Sequence, residues 1–138
     1  MPVSLTRTVG FRAAHRFFRP DWSADTNRAR FGWTTDEPGH PHEYTCAVTV
    51  TGRPEPATGL LLDLAALDRV LAETVVAPLD GKHINLDVPE FAYGRLLPTC
   101  EALAEYLFTR IALRLEAGIR LVRVRVAEDA TLHAEFEG

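Results

Sequence analysis

Two histidines, His40 and His42, lie one residue apart at the start of an apolar, β-branched run. Side chains two residues apart in a strand point to the same face of a sheet, so both imidazoles can point the same way. His15 ends another strand-like run, and pairing of the two runs would bring the three histidines together. Three protein nitrogens with an open fourth position are typical of a catalytic zinc site. The alternative is a pair of loop histidines with local hydrogen bonds.

Acidic residues and a fourth histidine accompany these possible ligands. Asp36 and Glu37 precede the pair, and a carboxylate at the mouth of a metal site can act as a general base. The same residues also fit a solvated turn. Asp80 and His83 form a second couple, in which a carboxylate can orient an imidazole and raise its basicity. The alternative for this couple is an exposed polar loop.

Several further residues could contact a substrate. Glu128 follows a predicted strand, and its carboxylate can accept two N–H bonds from a heterocycle with an amino group beside a ring N–H. Otherwise Glu128 is a turn former. Thr99 is a candidate contact or only a helix cap. Basic side chains in irregular segments could meet phosphate, although such residues are more often solvated: Arg16, Arg19, Arg28, Arg30 and Lys82.

The composition is that of a globular protein and excludes several functional classes. The chain has 138 residues, 46% of them hydrophobic, and a net charge of −4. This mild acidity gives no reason to expect binding to nucleic acid or to a membrane. The two cysteines are far apart, and no apolar run approaches the ~20 residues that span a bilayer. With no secretory signal at the N-terminus, we expect a cytoplasmic protein.

Apolar periodicity predicts one α+β domain over residues 1–138, with the element order β-β-α-α-β-β. Asp63 and Thr99 are the predicted N-caps of the two helices. Pro78 is expected to end the first helix, and Gly118 follows the second. The predicted strands cover residues 3–14, 43–52, 119–127 and 131–136, and the helices cover 64–77 and about 100–115. We expect an antiparallel four-stranded sheet with both helices on one face.

Two segments, 16–41 and 79–97, are expected to be irregular. The first contains five possible aromatic anchors, which argue for order: Phe17, Phe18, Trp22, Phe31 and Trp33. A loop of this length in a compact domain is usually functional or disordered. A four-stranded sheet also leaves two open edges, which invite pairing with another chain. We therefore expect a homo-oligomer joined through sheet edges, with a monomer as the alternative.

Six ordered segments resemble the 6-pyruvoyl-tetrahydropterin synthase / 6-carboxytetrahydropterin synthase family over nearly the whole chain. They are Phe11-Arg12-Ala13-Ala14-His15, Asn27-x-x-x-Phe31-Gly32, Gly39-His40-Pro41-His42-Glu43-Tyr44, Thr58-Gly59-Leu60-Leu61-Leu62-Asp63, Leu79-Asp80-Gly81-Lys82-His83-Ile84-Asn85, and Pro98-Thr99-x-Glu101-x-Leu103-Ala104. The late Glu128 completes the set. So many ordered matches make coincidence improbable.

The resemblance implies the tunnelling fold (T-fold) and a hexamer of two trimers with active sites at subunit interfaces. It implies zinc at His15, His40 and His42, and a pterin ring held by Glu128 with Thr99 nearby. The implied substrate is 7,8-dihydroneopterin triphosphate. Zinc would bind its side-chain hydroxyls and lower their pKa, which helps proton removal and loss of triphosphate.

Two departures from the family pattern concern the proton-transfer groups. The family's catalytic cysteine precedes the histidine pair, and the gapless position here is Thr34. The family's Asp-His couple is represented by Asp80 followed by Gly81. Three explanations remain open: a substitute acid–base set, recruitment to a different substrate, or a non-catalytic pterin-binding subunit.

A substitute set is available in the sequence. Some family branches place the cysteine four residues before the first histidine of the pair, where Asp36 stands, and others have a glutamate instead. Asp36 or Glu37 would then be the base, with His83 displaced by two residues as its partner and Asp80 assisting.

The sequence thus predicts a zinc-dependent lyase with an altered acid–base set, acting on a small pterin-like substrate. Its predicted catalytic residues are Asp36, Glu37, Asp80 and His83; its substrate contacts are Glu128, Thr99 and Lys82; its metal ligands are His15, His40 and His42. The rival hypothesis is a ligand-binding or scaffold protein with a vestigial site.

Overall fold

A five-stranded sheet forms the centre of the protein, described here for residues 2–138 by a computed structural model. Its strands are β1 (Val3–His15), β2 (His40–Gly52), β3 (Lys82–His83), β4 (Arg120–Asp129) and β5 (Leu132–Glu137), in the order β3-β1-β2-β4-β5. The four long strands are antiparallel neighbours, as predicted. The sheet has one addition: β3 pairs in parallel with β1 through two residue pairs, at Ala13 and Ala14.

The helices are α1 (Ala24–Phe31), α2 (Leu64–Leu71), α3 (Ala77–Leu79), α4 (Ile84–Asp87) and α5 (Cys100–Ala112). Short 3₁₀ turns cover Gly32–Thr35 and Pro89–Phe91. Both predicted N-caps are present. Asp63 accepts the Ala65 N–H at 3.0 Å, and the Thr99 hydroxyl accepts the Ala102 N–H at 3.1 Å. Each cap satisfies a backbone donor that has no partner inside its helix.

The prediction that Pro78 ends the first long helix is wrong. A single turn of π-helix at Ala72–Val76 joins α2 directly to α3. The Ala77 N–H donates to the Ala72 carbonyl across this turn. This wider turn shifts the hydrogen-bond register just before Pro78, which has no N–H to donate. The helix therefore continues to Leu79.

The core lies between the helices and one face of the sheet. β2 contributes Cys46, Val48 and Val50, and α5 contributes Leu103 and Leu107, all fully buried. These residues follow the period of two of a strand and the i, i+4 spacing of a helix. They place α5 and β2, with the histidine pair at its start, in one apolar core.

Arg7 interrupts the apolar face of β1 because it binds a helix. Its guanidinium donates to both carboxylate oxygens of Asp68 on α2, at 2.8 and 2.9 Å. This bidentate pair ties the first strand to the first long helix. The charged residue therefore fits a face that is otherwise apolar.

The segment 16–41 is not irregular throughout, because α1 and a 3₁₀ turn lie within it. α1 has one buried side chain, Asn27. Its amide accepts the Arg19 N–H at 2.7 Å and donates to the carbonyls of Arg19 and Ser23, both at 3.0 Å. The segment is thus organised around a buried polar side chain rather than an apolar stripe.

Every helix in residues 2–138 is too short or too polar to cross a bilayer.

Candidate metal centre

The pairing of β1 with β2 brings three histidines together at one end of the sheet. His15 lies directly opposite His40, and Ala13 lies opposite His42. The ring centroids are 4.6 Å apart for His15 and His40, 5.0 Å for His15 and His42, and 4.9 Å for His40 and His42. The predicted convergence of the imidazoles is confirmed.

The spacing of the three rings suits a divalent ion. One ring nitrogen from each histidine lies within 4.8 Å of the other two, and the Nε2 atoms of His15 and His40 are 3.0 Å apart. Tetrahedral zinc with Zn–N bonds of about 2.0–2.1 Å separates its nitrogen ligands by about 3.3 Å. The residues therefore fit the zinc ion that the sequence predicted, after small ring movements.

His15 is held in the form that binds a metal. Its Nδ1 lies 2.8 Å from the carbonyl of Pro98, so an Nδ1–H donates there and the Nε2 lone pair faces the other imidazoles. Burial lowers the pKa of His15 to about 3, so the ring is neutral near pH 7. A neutral, oriented imidazole is what a metal ligand requires.

Gly39 permits the chain to pass close to His15. Its φ is +113°, and a Cβ at this position would lie 2.4 Å from the His15 carbonyl oxygen. Only glycine fits this close backbone approach, which places His40 at the start of β2.

We predict that acid destabilises the metal-free protein through His15. The folded-state pKa lies below the unfolded value of 6.5, so the unfolded chain binds the extra proton between those values. The contribution of His15 is complete above pH 6.5 and is lost as the pH falls toward 3. Urea unfolding with a chelator should show a loss of about 2 kcal/mol from pH 7.5 to pH 5. The control variant His133→Gln, at an exposed position of β5, should show the same loss of stability between the two pH values. An equal loss in His15→Gln would contradict the assignment to His15.

Glu128 borders the centre on the His42 side. Its Oε2 lies 3.3 Å from His42 Nε2 and 3.9 Å from His15 Nε2, and its side chain is 16% exposed. Burial raises the pKa of Glu128, Asp129 and Glu101 raise it further, and His42 lowers it. A half-desolvated carboxylate in this position is a strong acceptor for N–H donors of a bound molecule.

Of the other predicted substrate contacts, Thr99 adjoins the site through its neighbour Pro98, whereas Lys82 lines a separate surface cleft with Pro78 and Arg110. The Thr99 hydroxyl caps α5, and the preceding carbonyl, of Pro98, is the one that orients His15. Lys82 is exposed on β3, beside Ala13 of β1.

The two predicted base carboxylates have arginine partners. Asp36 forms an ion pair with Arg28, and Glu37 lies 3.6 Å from Arg16. Both carboxylates are exposed on the loop before the histidine pair. Either would act as a base only after leaving its arginine.

Asp80 and His83 bind different parts of the protein. Asp80 accepts the backbone N–H of Arg12 at 2.9 Å, which fixes β3 beside β1. The His83 ring nitrogen Nε2 lies 2.6 Å from the Pro38 carbonyl, and its Nδ1 is buried without a partner in residues 2–138. If Nε2–H donates to Pro38, Nδ1 carries a free lone pair. In this structure Pro38, rather than Asp80, orients the imidazole.

Trp33, which the sequence predicts only as an aromatic anchor, contacts a candidate metal ligand. Its ring centroid is 4.6 Å from that of His40, and the residue is 63% exposed. The neighbouring Thr34, at the position of the family's cysteine, donates its hydroxyl to the Phe31 carbonyl at 2.5 Å. The one sequence signal for this contact is the position of Trp33 shortly before the histidine pair.

The sheet order, the two long helices on one face and the histidine centre define a tunnelling-fold protein. Residues 4–138 match the family model described as 6-pyruvoyl tetrahydropterin synthase. A human 6-pyruvoyl tetrahydrobiopterin synthase is 36% identical over 126 residues, which cover 91% of this chain and 85% of the human one. This chain belongs to the 6-pyruvoyl tetrahydropterin synthase family.

Two solved structures extend the comparison. The Caenorhabditis elegans 6-pyruvoyl tetrahydropterin synthase has a TM-score of 0.89 at 26% identity, covering all of this chain and 96% of that one. A Plasmodium vivax 6-pyruvoyltetrahydropterin synthase shares the fold, with a TM-score of 0.66 at 13% identity, covering all of this chain and 98% of that one. The solved Plasmodium vivax protein carries a substitution of a glutamate that is described as a catalytic residue.

Proposed function

We propose that this chain is a zinc-dependent lyase that acts on 7,8-dihydroneopterin triphosphate or a closely related pterin-like substrate. Members of its family are lyases, which gives the class of reaction. The observation that carries the zinc proposal is the convergence of His15, His40 and His42 beside the Glu128 carboxylate.

The three histidines would hold the metal, and Glu128 would hold the substrate ring. A bound zinc ion would supply Lewis-acid polarisation of the substrate's side-chain hydroxyls. The Glu128 carboxylate accepts the amino and ring N–H groups of a pterin, a bidentate match. Because Glu128 adjoins His42, a ring anchored there would lie beside the histidine centre. Thr99 and Lys82 complete the proposed substrate contacts.

His83 is the first candidate for proton transfer. Its ring is oriented by Pro38, and its buried Nδ1 has no hydrogen-bond partner in residues 2–138. Asp80 assists indirectly, because it fixes β3 and so the backbone of His83. Asp36 or Glu37 supplies the second group, once released from its arginine. The catalytic glutamate of the Plasmodium vivax synthase is a precedent for a carboxylate in this fold.

Replacing His83 by glutamine is expected to lower kcat by about 100-fold or more, because general acid–base groups typically contribute that much. Zinc content should remain one ion per chain, since His83 is not among the three ligands. Steady-state rates and metal analysis of the same preparation measure both. Asp36→Asn is the parallel variant for the second group. Full activity in either variant removes that residue from the proton-transfer role.

A second candidate function is pterin binding without turnover, or turnover of a different heterocycle. It is favoured by Thr34 and Gly81, which stand where the family has its cysteine and histidine. Incubation of the zinc-loaded protein with 7,8-dihydroneopterin triphosphate, with products identified by mass, distinguishes the candidates. A pyruvoyl, carboxy or cleaved side-chain product supports the lyase. Recovery of unchanged substrate that binds the protein supports the second candidate.

We also propose a homo-oligomer joined through sheet edges, located in the cytoplasm. β3 covers only Ala13 and Ala14 of β1, so the rest of that edge has no strand beside it in residues 2–138. An exposed strand edge favours pairing with another chain. Both cysteines, Cys46 and Cys100, are free and buried, which is consistent with a reducing compartment.

A further inference from the structure

Trp33 is presented to solvent at the edge of the histidine centre. It is 63% exposed, whereas Trp22, the other tryptophan, is 36% exposed and stacked on Phe31 at 5.6 Å. Burial of a large aromatic side chain is favourable, so one left exposed beside a site is a candidate contact for another molecule. The Trp33 ring lies 4.6 Å from His40, tilted by 60°.

The backbone that carries Trp33 is fixed to the end of β1. The Trp33 carbonyl accepts the Asp36 N–H at 3.0 Å, and the Thr34 carbonyl accepts the Phe17 N–H at 3.1 Å. The Phe17 ring in turn packs on His15 at 4.7 Å. The indole is therefore held next to the metal ligands by a short, well-bonded turn.

Trp33 and Glu128 contact different histidines of the centre. Glu128 contacts His42 at 3.3 Å and reaches His15 at 3.9 Å, whereas Trp33 packs on His40. The His40 and His42 ring centroids are 4.9 Å apart, so the indole and the carboxylate border the same compact centre. A flat molecule held at one edge by the carboxylate would cross the face of the histidine centre toward the indole.

We propose that Trp33 is a substrate-contacting residue that packs against the planar ring of the heterocycle held by Glu128. This inference rests on the proposed function, because it assumes a flat heterocycle at that site. The indole would supply apolar contact area to a ring whose polar edge binds Glu128, and it would exclude water from the metal-facing side chain of the substrate. Trp33 would thereby select planar aromatic substrates over flexible ones.

Calorimetric titration of the zinc-loaded protein with two probes tests the proposal. Pterin has the ring alone, and neopterin has the ring and a hydroxylated side chain. Trp33→Ala should weaken the binding of both by about tenfold, because aromatic pairs contribute about that factor. Trp22→Ala should leave both affinities unchanged. Zinc content is measured in each variant to show that the centre is intact.

A second measurement follows the indole itself. In Trp22→Phe, Trp33 is the single remaining tryptophan. Saturating pterin should protect its fluorescence from acrylamide quenching, which a purely structural role would not produce. Equal affinities in Trp33→Ala and wild type, or a loss for neopterin alone, overturns the ring contact and leaves the proposed function standing. A wild-type protein that binds neither probe overturns both.

Discussion

Replacing His40 by alanine is expected to weaken zinc binding by more than about 100-fold and to abolish turnover. Loss of a residue that only hydrogen-bonds a metal ligand lowers metal affinity by about 10–100-fold. His40 is itself a proposed ligand, so a larger loss is expected. Its Nε2 is 3.0 Å from that of His15, so the remaining pair cannot enclose an ion in the same way. Metal competition with a chromophoric chelator measures the affinity, and steady-state kinetics measures the turnover.

His133→Ala is the matched control for this variant. His133 is exposed on β5, where its Nδ1 lies 3.0 Å from Arg125, and it takes no part in the histidine centre. The control should bind zinc as the wild type does. Because His40 is only partly buried, its replacement should leave the fold intact, which circular dichroism checks. Undiminished zinc affinity in His40→Ala would contradict the ligand assignment.

Replacing Glu128 by glutamine is expected to weaken pterin binding by about 100-fold. The carboxylate accepts two N–H groups, whereas an amide offers one acceptor and turns a donor toward the second N–H. Hydrogen bonds to charged groups contribute about 1.5–3 kcal/mol each, and about 1.4 kcal/mol corresponds to a factor of ten. The loss should appear in the affinity for pterin measured by calorimetry, and it should also lower kcat/KM.

Glu135→Gln controls for a simple change of net charge. Glu135 is exposed on β5, and its replacement by glutamine removes the same negative charge. Zinc content should be unchanged in both variants, because Glu128 is not among the three proposed ligands. A Glu128→Gln protein that binds pterin as tightly as wild type would rule out the anchor role.

The strands and long helices were predictable because their signals are local. The alternation along β2, the stripe along α5 and the caps Asp63 and Thr99 are each read within a few residues. The convergence of the histidines followed from the pairing of two strands, since only one register places His15 opposite His40. One charged residue, Arg7, interrupts the apolar alternation on the inner face of β1. Its ion pair with Asp68 explains how this face accommodates the charge.

The connecting segments were less predictable because long-range contacts organise them. α1 has no apolar stripe and is fixed by the amide of Asn27. β3 exists because Asp80 and the Gly81 N–H both bind Arg12 of β1, a contact that no local pattern reveals. Proximity in the sequence suggested that Asp80 pairs with His83. In the structure Asp80 binds the Arg12 N–H, and His83 contacts the Pro38 carbonyl. Trp33 became a candidate only when the 3₁₀ turn placed it on His40.

X-ray absorption at the zinc edge of the metal-loaded protein tests the central assignment most directly. We expect three imidazole nitrogens at about 2.0–2.1 Å and one further light-atom ligand, with one imidazole lost in His40→Ala. A zinc environment without histidine, or a wild-type spectrum that His40→Ala leaves unaltered, would contradict it.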